Sequence, residues 1–231
     1  QKDMEITADY AKKQAESTNK AVYIIGRTAG EDKDNANWVG SYLLTDEEKE
    51  NLKNITEAFE DVCVVLNVSN IIDLKWIDEE QFKGHIKSVI IVWQGGMEGG
   101  NAVADALSGK ATPSGKLPDT VAYNIEDYPA NDNFGNELTN LYKEDIYVGY
   151  RYFETFAPEK VQFEFGFGLS YTTFDIETVS ADADDEKITL EVKVTNTGDK
   201  FSGKEVVQVY YEAPQGALGQ PASCLLYTSD A

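Results

Sequence analysis

The stretch Ser88–Pro118, SVIIVWQGGMEGGNAVADALSGKATPSGKLP, restricts the fold more than any other part of the chain. It opens on the apolar run Val89–Trp93, too short for a helix and long enough for a strand buried on both faces. Gly95, Gly96, Gly99 and Gly100 follow as a glycine-rich turn. Val103, Ala104, Ala106 and Leu107 then recur at helical spacing, and Gly109 stands where a helix stops. In open α/β sheets the loops at the carboxyl ends of the strands build the binding crevice, which makes this strand, glycine elbow and helix a candidate site wall.

The upstream sequence repeats the alternation. Ile6–Ser17 has the pattern of an amphipathic helix, and Ala21–Ile25 reads as a buried strand ending at Gly26. Arg27–Asn37 is a polar, acidic loop. At Thr45–Glu48, TDEE matches a capping box, after which Leu52, Ile55 and Phe59 mark one face of a helix. Val62–Val68 is a further buried strand, and Ile71–Lys87 is expected to hold a helical turn around Trp76 and another helix through Phe82. Helix and strand in alternation predict a parallel sheet covered by helices on both faces, an α/β sandwich. Its strand exits at 27–35, 67–70 and 94–100 should converge on one edge.

From Thr112 the texture changes to loops rich in Pro, Asn and Tyr, with YKEDIYVGYRYF at 142–153, and a connection this long is usually functional or wraps another domain. The tyrosines there are expected to pack the segment onto the sheet, and Arg151 to pair with a carboxylate. After FGFGLSYTTF (165–174) the period becomes two: Ile188–Val194 alternates, TNTGD (195–199) is a turn, and Glu205–Tyr211 is another strand. These antiparallel strands indicate a partial all-β sandwich of the immunoglobulin or fibronectin-III type. SCLLYTSDA (223–231) breaks the pattern, suits no strand of that module and reads as a non-native tail. The sequence starts at Gln1 as though within a helix and reads as a fragment.

A formal net charge of −21 opposes binding to nucleic acid or to an anionic membrane surface, whereas a neutral sugar meets no penalty. No segment is apolar for long enough to span a bilayer. Cys63 and Cys224 form neither a disulfide framework nor a metal-ligand spacing. The lone histidine, His85, follows Gly84 at the expected surface, so titratable chemistry falls to carboxylates, tyrosine or lysine.

WQGGMEGGNAVADALSGKATPSGKLP, YKEDIYVGYRYF, and FEFGFGLSYTTF followed by TNTGDKFSGKEVVQVYYEAPQG together resemble the C-terminal part of glycoside hydrolase family 3, the β-glucosidase and β-xylosidase family. The match runs in consistent order from Ala21 to about Ala222. The resemblance implies most of an α/β sandwich domain (1–170) and the start of a fibronectin-III-like domain (171–222), with a preceding barrel domain absent. It implies a retaining hydrolase of β-linked glycosides, most simply a β-glucosidase, that needs no metal or other cofactor. The aspartate nucleophile would lie on the missing barrel.

In that family the general acid/base is a glutamate on the loop after a strand, within a pattern like SGEGxDR. IIGRTAGEDKDN here matches it with Glu31 as the glutamate and Asp34 as the aspartate, while Asp32 replaces the second glycine and Asn35 the arginine. Asp32 and Asp34 would raise the Glu31 pKa by like charge, the direction a general acid requires. Asp34, Trp38 and Glu98 are the candidate substrate contacts: Trp38 for stacking in the leaving-group subsite, and Glu98 mainly as a negative side chain at the start of the following helix. The alternatives are a β-xylosidase of the same family, a non-catalytic α/β module that binds sugar or protein, and a flavodoxin-like nucleotide binder.

Overall fold

Residues 4–28, 34–211 and 224–225 are described by the structure, a computed structural model. They fall into two units, Gln1–Gly100 with Tyr123–Asp127, and Asn101–Ala122 with Tyr128–Ala231.

The first unit is built on a three-stranded parallel sheet, β1 (Lys20–Gly26), β2 (Asp61–Asn67) and β3 (Ile86–Ile91), in that spatial order. β2 lies between its neighbours, and Val62, Val64, Val65 and Leu66 are all buried, as a strand covered on both faces requires. The outer strands are more open than the sequence suggested. On β1 one face carries Val22 and Ile24 at 52% and 61% exposure, while Ile25 on the other is buried. β3 starts three residues earlier than expected, stops at Ile91, and is at most half-buried. An apolar run says that a strand is compatible with burial; its place in the sheet decides how much it receives.

Two helices precede β2. α1 (Ala8–Ala15) is capped by Thr7, whose Oγ1 accepts from Tyr10 N. α2 (Asp46–Ala58) begins at the predicted capping box: Thr45 Oγ1 accepts from Glu48 N at 3.0 Å, and Glu48 Oε2 accepts from Thr45 N at 2.8 Å. Leu52, Ile55 and Phe59 form its buried face, as their spacing predicts. Asn51 and Asn54 join the start of the chain to α2 through bonds with the backbone of Met4 and Ile6. A 3-10 turn at Lys75–Asp78 buries Trp76. The helix expected through Phe82 is absent; residues 80–85 form successive turns that include Gly84, whose φ of +79° a helix cannot accommodate. Phe82 still enters the core, edge-on to Trp76.

In the second unit, reached through α3 (Gly99–Leu107), the long connection has structure of its own. Val121–Ala122 (β4) pairs antiparallel with Val161–Phe163 (β5), and Tyr150–Phe156 is a short helix, α4. Ala122, Phe153 and Ala157 make a small core with Tyr128, Tyr152 and Val161 around it. Tyr147 packs against Phe156 and Tyr150 against Phe165, all within the second unit rather than on the parallel sheet, and the Arg151 guanidinium lies 5.4 Å from the Tyr150 ring centroid.

β6 (Phe174–Ala183) and β7 (Ile188–Asn196) form an antiparallel hairpin, giving the expected sequence of an α/β sheet followed by antiparallel strands. The strand expected over Glu205–Tyr211 is reduced to Tyr210–Tyr211 (β8), which pairs with Cys224–Leu225 (β9), two residues of the stretch expected to suit no strand. Residues 204–208 are committed elsewhere: Lys204 N donates to Ser114 Oγ, Glu205 pairs with Lys116 Nζ at 2.8 Å, and Gln208 Nε2 donates to Gly166 O.

The hydrogen bond from Lys116, and then that from Val206 N, hold the Glu205 carboxyl below its ordinary 4.5. A depressed carboxyl contributes stability that is fully present above its unfolded pKa and is lost as pH falls through the folded value. Glu205→Gln should therefore cost about 1 kcal/mol at neutral pH. In urea titrations the gap to the parent should close as the solution is acidified below the normal glutamate range; a gap independent of pH would remove the pair as its source.

Candidate active site

The parallel order places all three strand exits on one edge, and side chains and backbone join them there. Arg27 N donates to Asn67 O at 3.0 Å, linking the exits of β1 and β2. Asn35 Nδ2 donates to Ile71 O, a second link between the exits of β1 and β2, and Gln94 Nε2 donates to Ser69 Oγ, linking the exits of β2 and β3. The segment after β2 is thus the common neighbour of the acidic loop and the glycine elbow.

The acidic loop starts and ends at one side chain. Arg27 Nε donates to Ser41 O (3.0 Å); Nη1 donates to Gly26 O (2.9 Å) and Glu48 Oε1 (2.5 Å); Nη2 donates to Leu43 O (3.3 Å) and Glu48 Oε2 (2.8 Å). Every N–H of the guanidinium is used. Glu48 is buried and Arg27 is largely covered, with side-chain exposures of 3% and 10%. The return limb is shaped by a tight turn in which Gly40, at φ +84°, lets Gly40 N reach Leu43 O.

Of the residues singled out from sequence, Glu31 and its neighbour Asp32 lie outside the described residues. Asp34 is exposed at the start of the described return limb. Trp38 projects at 64% exposure, an indole face open to a ligand, while the adjacent Asn37 Nδ2 is fixed to Glu126 Oε1 at 2.6 Å. Glu98 is exposed and immediately precedes Gly99, the first residue of α3, where the helix dipole favours a carboxylate. Asp34 and Trp38 therefore share one loop, and Glu98 stands at the exit of the strand on the far side of β2. Among the described residues no group of three or more His, Cys, Asp or Glu is arranged to hold a metal ion.

Three features escaped the sequence reading. Arg27 was legible only as the first residue of a polar loop. Asp73, whose N–H donates to Tyr42 O in the return limb, is a half-buried carboxyl pushed above its ordinary 3.8 by desolvation despite the opposing bond and charge of Lys75. Trp93 has φ +49°, a left-handed conformation costly for a bulky residue, and there the chain turns off β3 into the elbow. The signal for the last was present in the glycines that follow. A Cβ on Gly95 would lie 2.8 Å from Gly99 Cα, whereas one on Gly96 would meet nothing within 4 Å.

The sequence model of the glycosyl hydrolase family 3 C-terminal domain matches residues 4–150. The chain belongs to glycosyl hydrolase family 3. A β-glucosidase of Ruminococcus albus is 49% identical over 225 residues, covering 97% of this chain and 23% of that protein. The crystal structure of a β-glucosidase from Paenibacillus barengoltzii superposes with a TM-score of 0.94 at 56% identity, covering 97% of this chain and 25% of that one. β-Glucosidase 3B of Thermotoga neapolitana, solved in complex with α-D-glucose, gives a TM-score of 0.86 at 36% identity over 95% of this chain. The chain spans about a quarter of the length of the curated family 3 relatives it matches.

The close approach at Gly95 predicts an asymmetry between neighbouring glycines. Gly95→Ala should cost about 1–3 kcal/mol through forced backbone displacement, and Gly96→Ala should stay within about 0.5 kcal/mol. Equal effects in chemical denaturation would show that the elbow is not fixed by that contact.

Proposed function

We propose that this chain supplies the general acid/base of a retaining β-glucosidase, with Glu31 as the acid and the nucleophile carried on a barrel domain outside it. The observation that carries the reading is the 49% identity to a protein named β-glucosidase over 97% of this chain. Membership of family 3 and the placement of the Glu31 loop at a strand exit support it. In this reading residues 1–170 are the α/β sandwich domain, 171–222 the start of a fibronectin-III-like domain, and 223–231 a non-native tail.

A retaining glycosidase needs two carboxyl groups about 5–5.5 Å apart. One, as carboxylate, attacks the anomeric carbon while the C–O bond to the leaving group breaks. Glu31 gives its proton to the departing oxygen, which leaves as an alcohol. In the second half, Glu31 as carboxylate takes a proton from water as that water displaces the nucleophile from the sugar. The acidic residues beside Glu31 act in the direction that keeps it protonated at the outset. Trp38, open and on the same loop, suits stacking against the ring of the leaving group, and Asp34 and Glu98 are the further substrate contacts proposed. The substrate is a β-linked glucoside or oligosaccharide with a terminal non-reducing glucosyl residue.

The purified chain alone should not turn over an aryl β-glucoside. In the full-length polypeptide, Glu31→Ala should slow glucosides with poor leaving groups by at least about 100-fold, while turnover of an activated aryl glucoside, limited in that variant by breakdown of the glycosyl intermediate, should be partly rescued by azide, which attacks the intermediate without a base. An unchanged rate on those substrates removes Glu31 from the mechanism.

A further inference from the structure

The described residues on both sides of the stretch between Thr28 and Asp34, its two feet, return to one point, the Arg27 side chain. On the outgoing side the guanidinium holds Gly26 O, and the Arg27 backbone N–H holds Asn67 O. On the return side it holds Ser41 O and Leu43 O. Glu48 fixes the plane of the fork by a bidentate pair, and its Oε2 also accepts from Thr45 N at the start of α2. One side chain thus sets the spacing between the end of β1, the return limb and the first turn of a helix.

We propose that Arg27, oriented by Glu48, is a positioning residue for the acid/base loop, fixing the two feet between which Glu31, Asp34 and Trp38 are carried. The inference rests on the reading of Glu31 as the general acid/base. Arg27 touches no reacting atom; it acts by limiting where the loop can stand. A general acid must sit within hydrogen-bond reach of the glycosidic oxygen, and misplacement by about 1 Å costs on the order of 100-fold. Lysine keeps the charge at this position but cannot form the planar fork or serve carbonyls on both feet together with the carboxylate.

The effect is distinguishable from loss of fold because only one half of the reaction needs the acid. Protonation matters greatly for a basic leaving group and little for an acidic phenol. The test is kcat/KM over a series of aryl β-glucosides with leaving phenols of rising pKa, measured on the full-length polypeptide and on its Arg27→Lys, Glu48→Gln and Glu31→Gln variants, with thermal unfolding of each. Arg27→Lys should steepen the dependence on leaving-group pKa in the same direction as Glu31→Gln. Its rate should fall about 100-fold on the least activated glucoside and less than about 10-fold on the most activated. Glu48→Gln, which keeps an acceptor for Thr45 N, should show the same trend more weakly and serves where Arg27→Lys does not fold.

If the folded clamp variants lose rate by one common factor across the series, or lose only thermal stability, the positioning role is overturned and the Glu31 reading stands. If Glu31→Gln itself leaves the slope unchanged, both fall.

Discussion

An arginine cannot shed its charge inside a protein, so burying the Arg27 guanidinium obliges its surroundings to match every N–H it carries. The structure meets that demand with backbone carbonyls from both limbs of one loop and a single carboxylate. Such a cluster is poor evidence for added stability, because removing two charges from water offsets much of what the pairing returns. Its consequence is geometric. The pair is satisfied in one arrangement of β1, the return limb and α2, and departures leave a buried charge without partners.

The same carboxylate closes the capping box, which makes Glu48 a member of two motifs at once. The capping box was readable because it is local: a threonine, then a glutamate three residues on, ahead of an apolar-periodic helix. The pairing with Arg27 was not, because twenty-one residues separate them and no periodicity joins a strand end to a helix start. An arginine after a strand-ending glycine looks like any polar residue entering a loop.

That contrast between local and distant holds elsewhere. Strand β2, α2 and the stop at Gly109 followed from residues within a few positions of one another, and they stand as expected. The openness of β1 and β3 did not, since burial depends on which strand ends up in the middle. β6 was missed because a bulge between Thr178 and Ser180 breaks its period of two after a short alternating start at Phe174–Glu177. The helix expected around Phe82 rested on apolar residues that the core collects from consecutive turns instead. Around the candidate site, the three strand exits lie on one edge as the alternation of elements implied and Trp38 is exposed, while the contact at Gly95 and the desolvated Asp73 emerge only from packing.

The open face of β1 bears on how this polypeptide behaves in solution. Val22 and Ile24 stand on an outer strand among the described residues, and strands of that kind can recruit other strands. With a formal charge of −21, copies repel one another at neutral pH and the apolar stripe is kept from its own kind. Toward the isoelectric point near 4.3 that repulsion vanishes while the stripe stays apolar. Colloidal behaviour is therefore governed by the charge of the whole surface, and acid precipitation needs no unfolding to set in.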